Sequence, residues 1–181
     1  ISKSGARFDY EKAKWFNQKY IQASDNAELA RLIRPYAEAK GYRTDEAYLS
    51  QAAALMKERV TFLPDFTGQG AYLFEPVRDY DFETIQKKWN PAQQPVFESL
   101  VATVEQTDDF AAPALEERVK HFIQEQHLKP GDVLPLLRLA LAGTMKGPAV
   151  FDMAALLGKT ETLNRLRTAV EVFNQAVVSA G

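Results

Sequence analysis

Apolar residues in this chain recur at helical spacing almost from end to end, and that periodicity restricts the fold more than any other feature. Leu29, Leu32, Ile33 and Tyr36 stand at i, i+3, i+4 and i+7, the stripe by which an amphipathic helix faces a core. Val96, Phe97, Leu100, Val101 and Val104 repeat the pattern, as do Leu115, Val119, Phe122 and Ile123, and again Leu163, Leu166, Val170, Phe173 and Val177. No segment of useful length alternates with period two, so no strand is predicted. The fold class is all-α. No repeat of 30–50 residues marks a solenoid.

Punctuation residues divide the helices. Asp9 is read as an N-cap, with a helix over 10–23 free of Gly and Pro. Ser24 or Asp25 caps the next helix, Pro35 introduces a kink, and Gly41 stops it. Thr44 caps a helix running from 45 to about 59. The stretch 61–70 is a loop whose aromatics are expected to point inward. Asp81 caps a short helix through Trp89. Asn90-Pro91 reads as a break and restart, with a helix over 91–107. Thr107-Asp108-Asp109 caps the following helix, which carries Pro113 in its first turn. Asp132 caps the apolar helix 133–142, Gly143 ends it, and Gly158 closes the short helix 149–157. The resulting division is 1–22 as a junction segment and entry helix, 23–89 as a first helical subdomain, and 90–181 as a second.

Composition removes several chemistries. The chain has no cysteine, which excludes disulfides, thiolate zinc sites and thiol nucleophiles. Its two histidines, His121 and His127, are spaced i, i+6 and do not share a helical face. Asp108-Asp109 and Glu116-Glu117 are adjacent pairs that point about 100° apart on a helix, a solvated face rather than a catalytic dyad. There is no glycine-rich phosphate loop and no G-x-S-x-G elbow. No catalytic residue and no metal site are expected in this segment. No apolar run is long enough for a membrane span. Ile1-Ser2-Lys3-Ser4-Gly5 has no apolar signal region and no initiator Met, which points to a chain that starts mid-protein and to a cytoplasmic location.

Twenty-two basic against 24 acidic residues give a formal net charge of −2. A nucleic-acid binder usually has a basic excess, so any RNA contact has to come from a local patch. Lys57 and Arg59 stand at a helix end, where cations complement the dipole. Arg118 and Lys120 share one helix, and Lys146 sits in a turn. Arg138 interrupts the apolar run Leu134-Pro135-Leu136-Leu137. A guanidinium there needs a partner or an opening to solvent, and its planar fork suits base edges and phosphates.

Four segments, in order, resemble the C-terminal anticodon-binding region of the glutamyl-tRNA synthetase family. They are Phe8-Asp9-Tyr10-Glu11-Lys12-Ala13-Lys14-Trp15-Phe16-Asn17, Leu55-Met56-Lys57-Glu58-Arg59, Leu137-Arg138-Leu139-Ala140-Leu141-Ala142-Gly143, and Gly147-Pro148 with Ala155-Leu156-Leu157-Gly158-Lys159. Ile1-Ser2-Lys3-Ser4 also matches the tail of the K-M-S-K-S signature of class I synthetases, a match too short to carry weight alone.

The resemblance implies a two-part α-helical cage of bundle-like subdomains that grips the tRNA anticodon, as a tRNA-binding segment, inactive alone, of a class I glutamate–tRNA ligase. The parent would use ATP and Mg2+ in a catalytic domain upstream; no cofactor is implied for this segment. The partner is glutamate tRNA, through its anticodon loop and stem, and the segment is expected to be monomeric and not associated with membranes. Arg59 matches the arginine that reads the third anticodon base, a cytosine in strictly glutamate-specific members; its two parallel donors suit the O2 and N3 acceptors of that base. Glutamine at this position goes with relaxed reading of glutamine tRNA. Arg138 matches a second anticodon-loop arginine. Lys120 replaces an arginine of some members, Pro135 replaces a polar residue, and Gly147 replaces a hydroxyl residue and leaves only backbone groups. Lys12, Trp15 and Lys19 fall where the family approaches the tRNA stem. The competing reading is an all-α protein-interaction module with no RNA role, which the net charge favours.

Overall fold

The computed structural model describes residues 3–179, with side chains from Arg7 onward except that of Phe8. Ile1 and Ser2 of the short signature match, and the Phe8 side chain, lie outside the described residues. Among the described residues all regular structure is helical, and the chain divides into two compact units, Ile1–Glu75 and Pro76–Gly181. That division corrects the sequence boundary at Trp89-Asn90-Pro91, which falls inside the second unit.

The first unit holds α1 (Lys3–Ala23), α2 (Asn26–Ala39), α3 (Glu46–Met56), the single turn α4 (Asp65–Gly68) and a 3-10 turn, Ala71–Leu73. α1 starts upstream of Asp9, so Asp9 is an interior residue and not a cap. Asp25 caps α2, its carboxylate accepting from the amides of Ala27 and Glu28. Asp45, not Thr44, caps α3 by accepting from the Tyr48 amide at 3.0 Å. An aspartate oxygen reaches the amide two or three residues on and satisfies a donor that has no intrahelical partner. α2 and α3 pair through Leu29, Ile33, Ala37, Leu49, Ala53 and Met56, all buried. Small Ala30, Ala52 and Ala53 on the facing sides allow close approach. Gly41, at φ +68°, ends α2 in a left-handed turn; its amide and that of Tyr42 donate to Glu38 and Ala37, the reciprocal C-terminal closure that glycine favours. α1 joins this core near its C-terminal end: Ile21 is fully buried, and Asn17 donates to the Thr61 carbonyl.

The second unit is a bundle of α5 (Phe82–Lys88), α6 (Gln94–Glu105), α7 (Ala112–Glu125), α8 (Pro130–Ala142), α9 (Val150–Leu157) and α10 (Lys159–Val178), with a 3-10 turn at Pro91–Gln93. Phe173 of α10 is completely buried and meets the rings of Trp89 and Phe97 at 5.5 and 6.2 Å between centroids. Fully burying an aromatic of this size contributes about 1.5–3 kcal/mol from area alone. The Trp89 indole N–H donates to Asn174 at 2.9 Å, and Asn174 in turn to Gln94 at 2.8 Å. These contacts place Trp89 in the second unit. Asn90-Pro91 is a local restart with a capping box between Asn90 and Gln93, not a domain border.

Other boundaries shift for identifiable reasons. Lys129 is the N-cap of α8, and Pro130 opens the helix with Asp132 in its first turn, because a proline at the first helical position has no amide to satisfy. Ala111 precedes α7 without a side-chain cap; Asp109 accepts only from the Ala111 amide. On α10 the buried face is Leu163, Leu166, Ala169, Phe173 and Ala176, with Val170 and Val177 half-buried on its flank.

Candidate nucleic-acid interface

The residues singled out by sequence fall into three groups. Lys12, Trp15 and Lys19 lie at i, i+3 and i+7 on α1, hence on one helical face. All three are exposed, Trp15 at 54%. Phe16 is next to them, 55% exposed, with its ring 5.1 Å from that of Trp15 and 5.8 Å from the Lys12 ammonium. Tyr10, facing the Lys14 ammonium at 4.7 Å, and Tyr20 are more than half exposed. Lys19 reaches the Gln22 side chain at 3.2 Å. Ammonium groups on an exposed helix face are able to neutralise phosphates, and the aromatics beside them offer apolar faces for packing.

Arg59 belongs to the end of α3. Its amide donates to the Met56 carbonyl at 2.8 Å, and it stands between two anchors, Met56 and Val60, both buried. The backbone is therefore pinned while the guanidinium projects to solvent. Downstream, Asp65 accepts from the amides of Thr61 and Phe62 at 3.1 and 2.8 Å, which holds the turn. The expectation that the 61–70 aromatics turn inward is half right. Phe66 is 2% exposed, whereas Phe62 is 39% exposed, because the Asp65 cap fixes the Phe62 backbone on the outside of the turn.

The third group lies in the second unit. Pro135 and Arg138 are one helical turn apart on α8, on the side that also shows Gly131 and Leu134 to solvent. The Arg138 guanidinium donates to the Pro148 carbonyl at 2.7 Å. The partner required for a half-buried guanidinium is thus a backbone carbonyl of the turn after α8. Gly147 precedes that carbonyl at φ +138°, a conformation side chains rarely adopt. Pro135, Arg138 and Gly147-Pro148 are therefore brought together. Lys120, on α7, is committed to its own helix: its ammonium is 2.6 Å from Glu116.

At the turn's near end, Gly143 is left-handed at φ +73° and packs against the 77–79 segment: a Cβ there would meet the Asp79 carbonyl oxygen at 2.2 Å and Val77 Cγ1 at 2.6 Å. The Gly143 carbonyl accepts from the Asp81 amide at 2.8 Å. The Thr84 hydroxyl and amide hold the Asp81 carboxyl below the usual carboxylate range. Arg165 of α10, 5% exposed, donates to the Leu141 carbonyl at 2.6 Å and pairs with Glu161 at 2.8 Å. It satisfies one of the last carbonyls of α8 and places a cation at that helix's negative end. Burial pushes the nearby Tyr80 hydroxyl up, with the Arg165 charge opposing.

Sequence reasoning missed Arg165, whose acceptor is a carbonyl and leaves no trace in residue types. It also missed the outward positions of Phe62 and Met145, the latter 40% exposed. Gly143 and Gly147, bracketing Met145, were the available signal for a tight turn. Among the described residues no group of three or more His, Cys, Asp or Glu could hold a metal ion, and no helix is long and apolar enough to cross a membrane.

Residues 28–170 match the family described as the anticodon binding domain. Over 171 residues the chain is 39% identical to a glutamate–tRNA ligase of Porphyromonas gingivalis and 37% identical to one of Christiangramia forsetii. Each alignment takes in 94% of this chain and 34% of the relative, so the chain spans about a third of the length of the curated relatives it matches. A solved glutamate tRNA ligase from Elizabethkingia meningosepticum, in complex with its amino acid, matches with a TM-score of 0.85 and 31% identity over 90% of this chain and 32% of that one. The glutamate–tRNA synthetase of Elizabethkingia anophelis matches with a TM-score of 0.78 and 32% identity over 89% of this chain and 31% of that one. With a match over 143 positions (28 to 170 inclusive), this chain belongs to the anticodon binding domain family.

Proposed function

We propose that this chain is the anticodon-reading region of a glutamate–tRNA ligase, binding the anticodon loop of glutamate tRNA while a catalytic region beyond the aligned third attaches glutamate. The observation that carries the reading is the family match over 28–170, joined to ligase relatives that align along 94% of the chain. ATP and Mg2+ belong, on this reading, to the part of the ligase that this chain does not cover, and no step through them is assigned to residues here. The region binds as a monomer in the cytoplasm.

In this reading Arg59 takes the third anticodon base. A splayed, single-stranded base presents its edge to side chains, and a guanidinium on a pinned backbone gives two parallel donors with little ordering cost. Arg138 acts at the loop through α8 and its tethered turn. Lys12, Trp15 and Lys19 meet the stem, and Lys120 contributes a phosphate contact only by giving up Glu116. Pro135 supplies shape, and Gly147 backbone groups.

The test is Arg59→Gln in the ligase that carries this region. A bidentate base contact is worth roughly 1–3 kcal/mol of discrimination, about five- to 150-fold. The substitution is expected to shrink by that factor the preference for glutamate tRNA over a variant altered at the third anticodon base. A wild-type ligase that charges both tRNAs equally would refute the assignment.

A further inference from the structure

We propose that the apolar cavity inside the second unit binds a small primary amine carrying one aromatic ring, with the ring in the cavity and the ammonium group on Asp132 at its rim. The site is independent of the tRNA-binding reading above, because it lies on the opposite side of α8 from Arg138.

The cavity lies between Trp89 and the 3-10 turn that follows it, α6, the end of α7 and α8, and it encloses about 90 Å3. Trp89, Phe97, Leu100, Phe122, Val133 and Leu136 form its wall, and all six are buried. Val133 and Leu136 sit one turn apart on α8, on the side away from Pro135 and Arg138. Trp89 and Phe97 stand edge to face, with centroids 5.7 Å apart and an interplanar angle of 87°. The polar handle of Trp89 is already used: its indole N–H donates to Asn174 at 2.9 Å, a residue outside the wall. Water held in such a space needs about two to four polar partners, and these six side chains leave none over.

Two polar residues stand at the rim, Gln93 and Asp132. Gln93 is committed, since its Oε1 accepts from the Asn90 amide at 3.0 Å within the capping box. Asp132 is exposed, lies in the first turn of α8, and has no ion-pair partner among the described residues. The positive end of the α8 dipole favours its ionised form. An apolar cavity with one uncompensated carboxylate at its mouth selects charge as well as shape. Size sets the other limit. A closed apolar cavity of about 150 Å3 holds benzene. This one is smaller and open at the rim, so it takes a ring whose substituted edge, with a short arm, faces Asp132. An entering ring also meets the aromatic edges of the wall, which favours aryl over aliphatic bodies.

The experiment uses the 181-residue protein and phenethylammonium as the probe, beside phenethyl alcohol and phenylpropionate, which keep the ring and change the charge of the arm. Binding is read from Trp89 fluorescence in a Trp15→Phe background and from methyl NMR shifts. Saturable binding of phenethylammonium is expected with a dissociation constant of about 0.1–5 mM, the range of a ligand this small. The shifts are expected at Val96, Leu100, Leu128, Val133 and Leu136, all of which line the cavity. The alcohol binds about two- to fivefold more weakly, the worth of an exposed ion pair, and the carboxylate more weakly still. Asp132→Asn lowers the ammonium to the affinity of the alcohol and leaves the alcohol unchanged. Val96→Phe fills the cavity and abolishes binding of all three probes, with the urea midpoint reporting that the fold is kept; should that variant unfold, the wild-type shift map decides alone. Equal affinity for the three probes, or wild-type affinity for phenethylammonium in Asp132→Asn, overturns the proposal. Shifts scattered outside the cavity, full binding by a folded Val96→Phe, or no saturation by about 20 mM overturns it as well.

Discussion

Gly143 is where the fold and the candidate interface depend on one another, and two substitutions there separate the physical causes. Its φ of +73° costs a residue with a Cβ about 1–2 kcal/mol. The restricted unfolded chain returns roughly 0.4–1 kcal/mol when glycine becomes alanine. The larger effect is steric. An added Cβ would lie 2.2 Å from the Asp79 carbonyl oxygen and 2.6 Å from Val77 Cγ1, and the nearer atom is backbone, so the 77–79 segment has to move by about 1 Å. That displacement strains the bond from the Asp81 amide to the Gly143 carbonyl, worth about 0.5–1.5 kcal/mol, and opens packing around Val77. Together Gly143→Ala is expected to destabilise the second unit by about 2–4 kcal/mol, a fall in Tm of about 10 °C or more. Gly41, also left-handed at φ +68° but with nothing within 4 Å of a built Cβ, is the control: Gly41→Ala costs the first unit only about 1 kcal/mol. Asparagine tolerates the left-handed conformation but carries a Cβ. Gly41→Asn is therefore near wild type, and Gly143→Asn is as damaged as Gly143→Ala. Urea unfolding read by Trp89 fluorescence in a Trp15→Phe background reports the second unit, since these are the chain's two tryptophans; far-UV circular dichroism follows Gly41. Restoration of stability by Gly143→Asn would show that backbone conformation alone is at stake and that the close approach to Asp79 costs nothing.

Arg165→Met removes the donor to the Leu141 carbonyl and leaves that buried acceptor unsatisfied; a loss of about 1–3 kcal/mol in urea unfolding is expected, and an unchanged midpoint would mean that water replaces the guanidinium. The Asp81 carboxyl is held below its ordinary range by Thr84. Its stabilising share is therefore full above the unfolded carboxylate value near about pH 4 and disappears as pH falls through the lower folded value. Asp81→Asn, which keeps an acceptor oxygen, should flatten the acid side of the stability profile of the second unit, and a profile identical to wild type would refute the linkage. Trp89→Phe deletes the donor to Asn174 and is expected to cost about 1 kcal/mol in thermal unfolding.

The parts of this fold legible in the sequence are those set by local chemistry. Asp25, Asp81 and Asn90 cap helices because their oxygens reach amides two or three residues ahead, and Gly41, Gly143 and Gly158 end helices because each takes a positive φ. The unit border was not legible. Asn90-Pro91 carries strong turn chemistry, but membership of a unit is decided by packing, and Trp89 is tied to Phe173 and Asn174 of the last helix. The border at Glu75 and Pro76 has weaker local punctuation. Asp9 shows the opposite failure: it is a good capping residue that finds no helix start to cap, because Lys3 and its neighbours already continue the helix. At the candidate interface, residue type marked Arg138 as needing a partner, while Arg59 and the residues of α1 came from the family resemblance. Neither could show that Lys120 is bonded to Glu116, nor that Arg138 grips the turn carrying Met145.

The net charge of −2 favours a protein-interaction module, and one-to-one ion pairing leaves that sum unchanged, so any attraction to RNA has to be local. Electrostatic attraction to RNA depends on which cations remain uncompensated where the RNA lies, more than on their total. Lys87, Lys120, Arg43 and Arg167 are neutralised by Glu83, Glu116, Asp45 and Glu105, so they add nothing to an anion's attraction, and their partners add no repulsion. Arg59 and Lys146 have no ion-pair partner among the described residues. An interface of this kind has few phosphate contacts, hence a shallow salt dependence, with discrimination resting on base edges and stacked faces instead of on a basic field. A steep salt slope for this chain on an anticodon stem-loop, equivalent to six or more phosphates at about 0.7 each, would contradict that arrangement even if binding were tight.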